Sequence, residues 1–343
     1  MGEEYDRRFY NFCYTIKLPP CKKKWGKMCI RDRFLEFAIS LVQECGQIIL
    51  EASKERYSKI NKIYEKGENP SDLVTETDKI VEELIKSKLN SKFPDHKFVG
   101  EETAAAAGKH HGLTDEPTWI VDPIDGTTNF IHWFPFVAVC IGLTINKEPV
   151  VGAVFNPFLN QLYTARKGNG AYLNLNTKLP LSSPNPPITL PSSLSQCLVV
   201  SEYGSNRSST TLGKKFRSVH SLMSKPGDVT WGKKNAGLVR GIRSLGSAAL
   251  DIIQVAKGEA DIFWEIGCWE WDVTAALVIL RESGGIMVNG NGPNEEPFNI
   301  LGRKYLAVRG GSSCAGDETV EQSQLRLVRE FWNIVEEIDC PRE

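Results

Sequence analysis

The 343-residue sequence has no Cys-x-x-Cys pair and no excess of charge of either sign. From Phe34 onward no apolar run reaches the ~18 residues of a membrane helix. Its nine cysteines are an odd, scattered set, which points to a reducing, cytoplasmic compartment. None stands in a triad-like context, and Cys140, inside "FVAVCIGL", reads as a small core residue. A net charge of -1 with 24% charged residues carries no electrostatic footprint for nucleic acid. Histidine is sparse, at five residues, and His132 in "FIHWFP", the one closest to the acidic motif below, reads as a loop residue rather than a general acid. What remains is a globular composition, 41% hydrophobic, with enough length for two lobes or one large layered domain.

Residues 1–33 mix aromatics, cysteines and basic clusters without helical or alternating period, and read as an extension that is disordered or foreign to the fold. Basic content leaves a transit peptide open, although Glu3, Glu4 and Asp6 count against one. From Phe34 the apolar residues Phe37, Ala38, Leu41, Val42, Cys45, Ile48 and Ile49 recur at helical spacing. "KGENPSD" is expected to be a loop, followed by a second helix with Asp78 at its start. "KFVG" and "TWIVD" read as strands, "FVAVCIGLTI" and "VVGAVFN" as a hairpin turned by "NKEP", and "QLYTARKGNGAYL" as another strand pair. The Pro- and Ser-rich stretch 180–193 marks a boundary between an N-terminal α+β lobe, 34–185, and a C-terminal α/β lobe, 186–343. In the second lobe strands and helices alternate, from "CLVVS" to "GGIMV", which predicts strands sandwiched between helices, an α/β or mixed α+β fold.

The stretch "WIVDPIDGTTNF", residues 119–130, is the most informative. Trp119 to Val121 should be a buried strand that Pro123 terminates, leaving Asp122 and Asp125 on one side of a turn. Gly126-Thr127-Thr128 then offers backbone N–H groups of the kind that cradle a phosphate at a helix start. Asp-Pro and Asp-Gly are also ordinary turn signals. A second acidic element, "VGEE", ends another apolar segment. Carboxylates gathered at strand ends repel, so either some protonate or cations neutralise them, and oxygen-only ligands favour magnesium over zinc.

"VDPIDGTTNF", with "LVTETD", "VGEE", "FPFVAV", "ARKGNGA", "GIRSLGSAA" and "WEWDVTAA" in order from Phe34 to the last helix, resembles the inositol monophosphatase family of lithium-sensitive, Mg²⁺-dependent phosphatases. The resemblance implies a layered αβαβα sandwich of the sugar/inositol phosphatase type, a homodimer, and hydrolysis of a small phosphate ester. It implies that Glu101 and the Ile124 carbonyl hold a first metal, that Asp122 bridges two, and that Asp125 and Asp272 hold the second while bordering the substrate. Thr127 and Asp78, with Glu101, would orient and deprotonate the attacking water. Gly126 and Thr127 would donate to the phosphate, Gly246, Ser247 and Ala248 would contact substrate, and Glu265 would receive inositol hydroxyls.

Simpler roles stand beside these: Asp78, Ser247 and Asp272 as helix-start residues, and Glu265 as a rim charge. The sequence departs from the family pattern at Thr274, where a small residue is usual, and at Trp269 and Glu270, whose bulk and charge adjoin the site. The stretches 180–193 and 224–237 are inserts expected to reshape the substrate mouth or a dimer surface. These departures leave the leaving group open: inositol monophosphate, a nucleotide 3'-phosphate, a sugar 1-phosphate or a quinate-pathway compound. A non-catalytic scaffold is a further alternative, although Glu101, Asp122, Asp125 and Asp272 are all present.

Overall fold

The helical period read from Phe34 begins at Ile30: helix α1 (Ile30–Glu55) includes Arg31–Arg33, and its Asp32 forms an ion pair with Arg166. In a computed structural model, residues 30–55, 63–66, 69–107, 112–181, 188–228, 231, 235–292, 297–314 and 317–342 are described. Most of the expected extension, 1–29, and parts of the two inserts lie outside them. Over the expected loop 66–72 the chain instead forms a hairpin of β1 (Ile63–Lys66) and β2 (Asn69–Thr75). Next come α2 (Glu76–Lys92), β3 (Lys97–Gly100), α3 (Glu101–Ala107), β4 (Thr118–Asp125), α4 (Thr127–His132), β5 (Ala138–Ile145) and β6 (Glu148–Asn156). β7 (Gln161–Arg166), β8 (Ala171–Leu173) and β9 (Thr177–Lys178) complete a seven-stranded sheet ordered β3 to β9, in which only the first pair is parallel. The β5–β6 turn falls on Asn146 and Lys147, both at positive φ as a tight hairpin requires.

β10 (Leu198–Ser201), α5 (Ser209–Met223), β11 (Gly241–Arg243), α6 (Ala248–Lys257), β12 (Ile262–Ile266), α7 (Glu270–Glu282), β13 (Ile286–Asn289), β14 (Lys304–Val308) and α8 (Val320–Trp332) follow. Their five strands are ordered β11-β10-β12-β14-β13. The alternation read from the sequence missed β14, which returns antiparallel between β12 and β13.

Three cores divide the layers. Phe34, Val42 and Ile49 of α1 and Val81 and Ile85 of α2 cover one face of the first sheet, at Trp119, Val121, Val139 and Ile141. α6 and α7 lie between the sheets, where Ile252, Ile253, Val273 and Leu277 meet Cys140 and Val154 on one side and Phe263 and Tyr305 on the other. Phe331 and Val328 of α8, with Leu222 of α5, close the outer face over Trp264 and Leu306. The result is an αβαβα sandwich, each sheet buried on both faces.

Two features seat the middle helices. β4 does not end at Asp122: it continues to Asp125 through a bulge, Asp122 pairing with Cys140 and Asp125 with Ala138, so Pro123 and Ile124 oppose Val139 alone. Proline, lacking an N–H, is tolerated in such a break. Cross-strand partners share a face, and Cys140 and Ala138 both face α6 and α7. The bulge, rather than a terminating turn, therefore puts both aspartates on that side. The second feature is a notch. Gly142 and Gly152 pair across β5 and β6, and a Cβ at Gly142 would lie 2.6 Å from Thr274 Cγ2, one at Gly152 2.2 Å from the Ala275 carbonyl oxygen. Thr274, whose hydroxyl donates to the Glu270 carbonyl at 2.6 Å, thus packs into the sheet. Gly152→Ala is expected to destabilise the protein by about 3 kcal/mol, as overpacking against backbone does. A urea midpoint equal to that of the parent would show that α7 can retreat freely.

Candidate active site

At the ends of β4, β10 and β12 and the starts of α3, α6 and α7 lies an open cleft of about 510 Å³. Ligands of layered α/β proteins bind beyond the carboxyl ends of strands for the same topological reason. Each acid has a local cause. Glu101 opens α3, whose first N–H groups are held from outside: the buried Glu82 of α2 accepts from Glu102 N and Thr103 N, both at 2.7 Å. Asp122 Oδ1 accepts from Ile124 N at 2.9 Å. Asp125 Oδ2 accepts from Ser247 Oγ at 2.6 Å and Ala249 N at 2.8 Å, tying the first sheet to the start of α6. Asp272 is the third residue of α7 and accepts from Trp269 N at 2.6 Å.

Asp122, Asp125 and Asp272 each bring one oxygen within 4.8 Å of the others. Burial first, then repulsion from Glu101, Asp125 and Asp272, raises Asp122 well above the usual carboxylate range. Asp272 is raised by burial and by Asp125 and Glu101. Burial pushes Asp125 up to about 7 against the opposing Ser247 and Ala249 hydrogen bonds. Among the described residues the cleft is lined by six carboxyls and one cation, Arg207. The close-set, all-oxygen donors of Asp122, Asp125 and Asp272 fit a hard divalent cation such as Mg²⁺.

Asp78 lies beneath the cleft. Its Oδ2 accepts from Thr75 N at 2.9 Å, a helix-start role, while Oδ1 sits 3.2 Å from Thr127 Oγ1, which is also 3.1 Å from the Ile124 carbonyl. Gly126 caps the one-and-a-half turns of α4 at φ 92, where a Cβ would come within 2.8 Å of the Phe136 carbonyl. Ser247 is the N-cap of α6, so capping and Asp125 binding share one hydroxyl. Gly246 N–H is engaged by Glu202 Oε1 at 2.8 Å. Ala248 and Glu265 line the cleft. Glu265 is buried rather than a solvated rim charge; one oxygen lacks a partner among the described residues, and burial raises it to about 8 although Lys215 pulls the other way. His132 is exposed at the end of α4, away from the cleft. The described parts of 180–193 and 224–237 do not line it either; Ser193, Pro226 and Gly227 border a separate hollow with Glu330.

Sequence reasoning missed Glu202 and Asp251. Glu202 follows the apolar run of β10 as Asp122 follows that of β4, a signal that was available. Asp251 is fully buried on α6 against Glu202, and burial followed by that carboxyl's charge raises it well above the usual range.

A family model described as the inositol monophosphatase family matches residues 30–336. The chain is 44% identical over 272 residues to inositol monophosphatase 2 of Saccharomyces cerevisiae, covering 78% of this chain and 84% of that protein. It is 38% identical over 330 residues to the quinic acid degradation cluster protein x of Neurospora crassa, covering 91% and 96%. Among solved structures, the extragenic suppressor protein suhB of Bartonella henselae superposes with a TM-score of 0.66 at 26% identity, over 87% of this chain and 98% of that one.

The raised carboxyls set the sign of a pH effect. A folded-state pKa near 7 or 8, against about 4 in the unfolded chain, means that stability present in acid is lost as pH rises through the folded values. The metal-free protein is therefore expected to melt several degrees lower at pH 8 than at pH 5.5, and millimolar Mg²⁺ should restore more at pH 8. Melting curves that are flat in pH and indifferent to Mg²⁺ would contradict this electrostatic picture.

Proposed function

Because this chain belongs to the inositol monophosphatase family, we propose that it is a Mg²⁺-dependent phosphatase releasing myo-inositol and phosphate from inositol monophosphate. The observation that carries this reading is the six-carboxyl cleft, with Arg207 the one cation lining it among the described residues. A phosphate dianion has no place there until cations offset the acids. Glu101, Asp122, the Ile124 carbonyl, Asp125 and Asp272 would hold Mg²⁺. When bound, the ions lower the pKa of water and offset charge on the phosphoryl and leaving oxygens.

The protein groups position the reactants. Asp78 holds Thr127 so that its hydroxyl can orient a water, and Glu101, at the cleft edge, accepts the proton that water gives up. Thr127 and Gly126 present the start of α4 to the phosphate. Displacement in line by that water needs no covalent intermediate. Glu265, buried with an unpartnered oxygen, accepts a hydroxyl of the leaving polyol. Lithium sensitivity and a homodimer belong to the same proposal, the latter expected to sediment at twice the chain mass of 38.3 kDa. So does cytoplasmic residence, which the six free cysteines among the described residues support. No helix among those residues is long and apolar enough to cross a membrane.

The likeness to a quinic acid degradation cluster protein favours a second reading, with the same hydrolysis on another small phosphate ester. Specificity lies in the ratio of kcat/KM values across inositol, sugar, nucleotide and cyclitol-acid phosphates. Phosphate release is expected to need Mg²⁺, to fall with Li⁺, and to drop about a thousandfold, roughly 4 kcal/mol, in Asp122→Asn and Glu101→Gln. Folded, Mg²⁺-replete protein that releases phosphate from no member of that panel would reject both readings.

A further inference from the structure

The cleft is bounded beside Asp272 by Gly267, Cys268, Trp269 and Trp271, and the two indoles are its bulkiest side chains. The Trp269 indole is engaged on its ring surfaces. Trp271 stacks on it with centroids 5.3 Å apart and planes 17° from parallel, and the Arg303 guanidinium lies 3.6 Å from its centre. Both contacts are favourable in their own right, and an arginine over indole is the strongest cation–π pairing. A ring held this way cannot swing aside for a ligand.

The backbone around it is fastened from a distant part of the chain. Arg303 Nη2 donates to the Gly267 carbonyl at 2.7 Å, Gly267 N returns a bond to the Arg303 carbonyl at 2.8 Å, and Arg303 Nη1 donates to the Pro341 carbonyl at 3.0 Å. Arg342 forks onto the buried Glu270 carboxylate at 2.8 and 2.9 Å, donates to the Leu301 carbonyl at 2.9 Å, and lies 5.2 Å from the Trp269 ring. Trp269 N is also the donor to Asp272 Oδ2. One residue thus joins the cleft wall, an acid of the cup and the segment 341–342.

We propose that Trp269 is the specificity-determining residue that limits the bulk of the leaving group, and that Arg303 and Arg342 are positioning residues that hold it as a fixed wall. This rests on the phosphatase reading above. The cleft then takes compact ring polyol monophosphates and disfavours nucleoside monophosphates, whose base must extend past the indole.

The test measures kcat/KM for inositol 1-phosphate and adenosine 2'-monophosphate at saturating Mg²⁺, in the parent and in Trp269→Ala, Trp269→Phe and Arg342→Ala. The ratio should move toward the nucleotide by about tenfold in Trp269→Ala, the scale of a changed apolar contact in a pocket. Trp269→Phe should keep the parent ratio. Arg342→Ala, which leaves the lining side chains in place, should shift it in the same direction by about threefold, through KM rather than kcat. Equal losses for both substrates in Trp269→Ala would overturn the proposal, because a merely structural residue lowers both rates together. If that variant does not fold, an unchanged ratio in Arg342→Ala overturns it. A parent protein that hydrolyses neither ester defeats the phosphatase reading itself, a result distinguishable from a parent that is active but whose ratio never moves.

Discussion

Asp122, Asp125 and Asp272 carry like charge to within 4.8 Å of one another, the first two buried and the third partly so. Left alone, such a group protonates or moves apart, because each buried carboxylate loses hydration and gains only repulsion. The surrounding architecture works against that tendency. Asp125 is pinned by two donors from α6, Asp122 by the amide of its own bulge, and Asp272 by the amide preceding its helix. These bonds hold the oxygens convergent with little freedom to escape, which is the preorganisation that a cation site demands.

The convergence depends on elements far apart in sequence. β4 belongs to one sheet, while α6 and α7 are shared by both, so the acids meet where the middle helical layer touches the first sheet. The bulge at Pro123 turns two aspartates to the same face. Glu82, from α2, fixes the start of α3 and with it Glu101. Across the cleft, Glu202, Asp251 and Glu265 form a second acidic group, Asp251 and Glu265 buried and Glu202 partly so, with Lys215 close by, its ammonium bound to the Tyr203 and Ile266 carbonyls. The cleft is acidic on both sides for different structural reasons.

Much of this was legible in the residues. Helical period located α1 and α2, two apolar runs joined by the turn signal "NKEP" located the β5–β6 hairpin, and the string Asp122-Pro123-Ile124-Asp125 drew attention to the acids of the cleft. The family resemblance added Ser247, Glu265 and Asp272, which from the residues alone read as two helix starts and a rim charge, and the fold brings all three to the cleft. What failed was information held only in pairing. A strand end and a bulge look alike in sequence, since proline breaks the ladder in both, and only the partner strand decides. β14 was missed although Gly302 and Gly310-Gly311 flank it, because it follows another strand where the alternation leads one to expect a helix. Nothing in the sequence marks Glu82 or Glu270 as buried, yet both are, one held by backbone amides and the other by an arginine from a remote segment.

The glycine pair at 142 and 152 has a meaning beyond close packing. Because both lie opposite each other in one ladder, they form a single slot only in that alignment, and Thr274 and Ala275 fit it only at one setting along the helix. Sliding β6 past β5 by one residue would replace the slot with side chains and lift α7 away. The distance from Ala275 back to Asp272 is fixed by helical geometry, less than one turn. The alignment of two strands on the first sheet therefore acts as a gauge that sets how deeply Asp272 reaches toward Asp122 and Asp125.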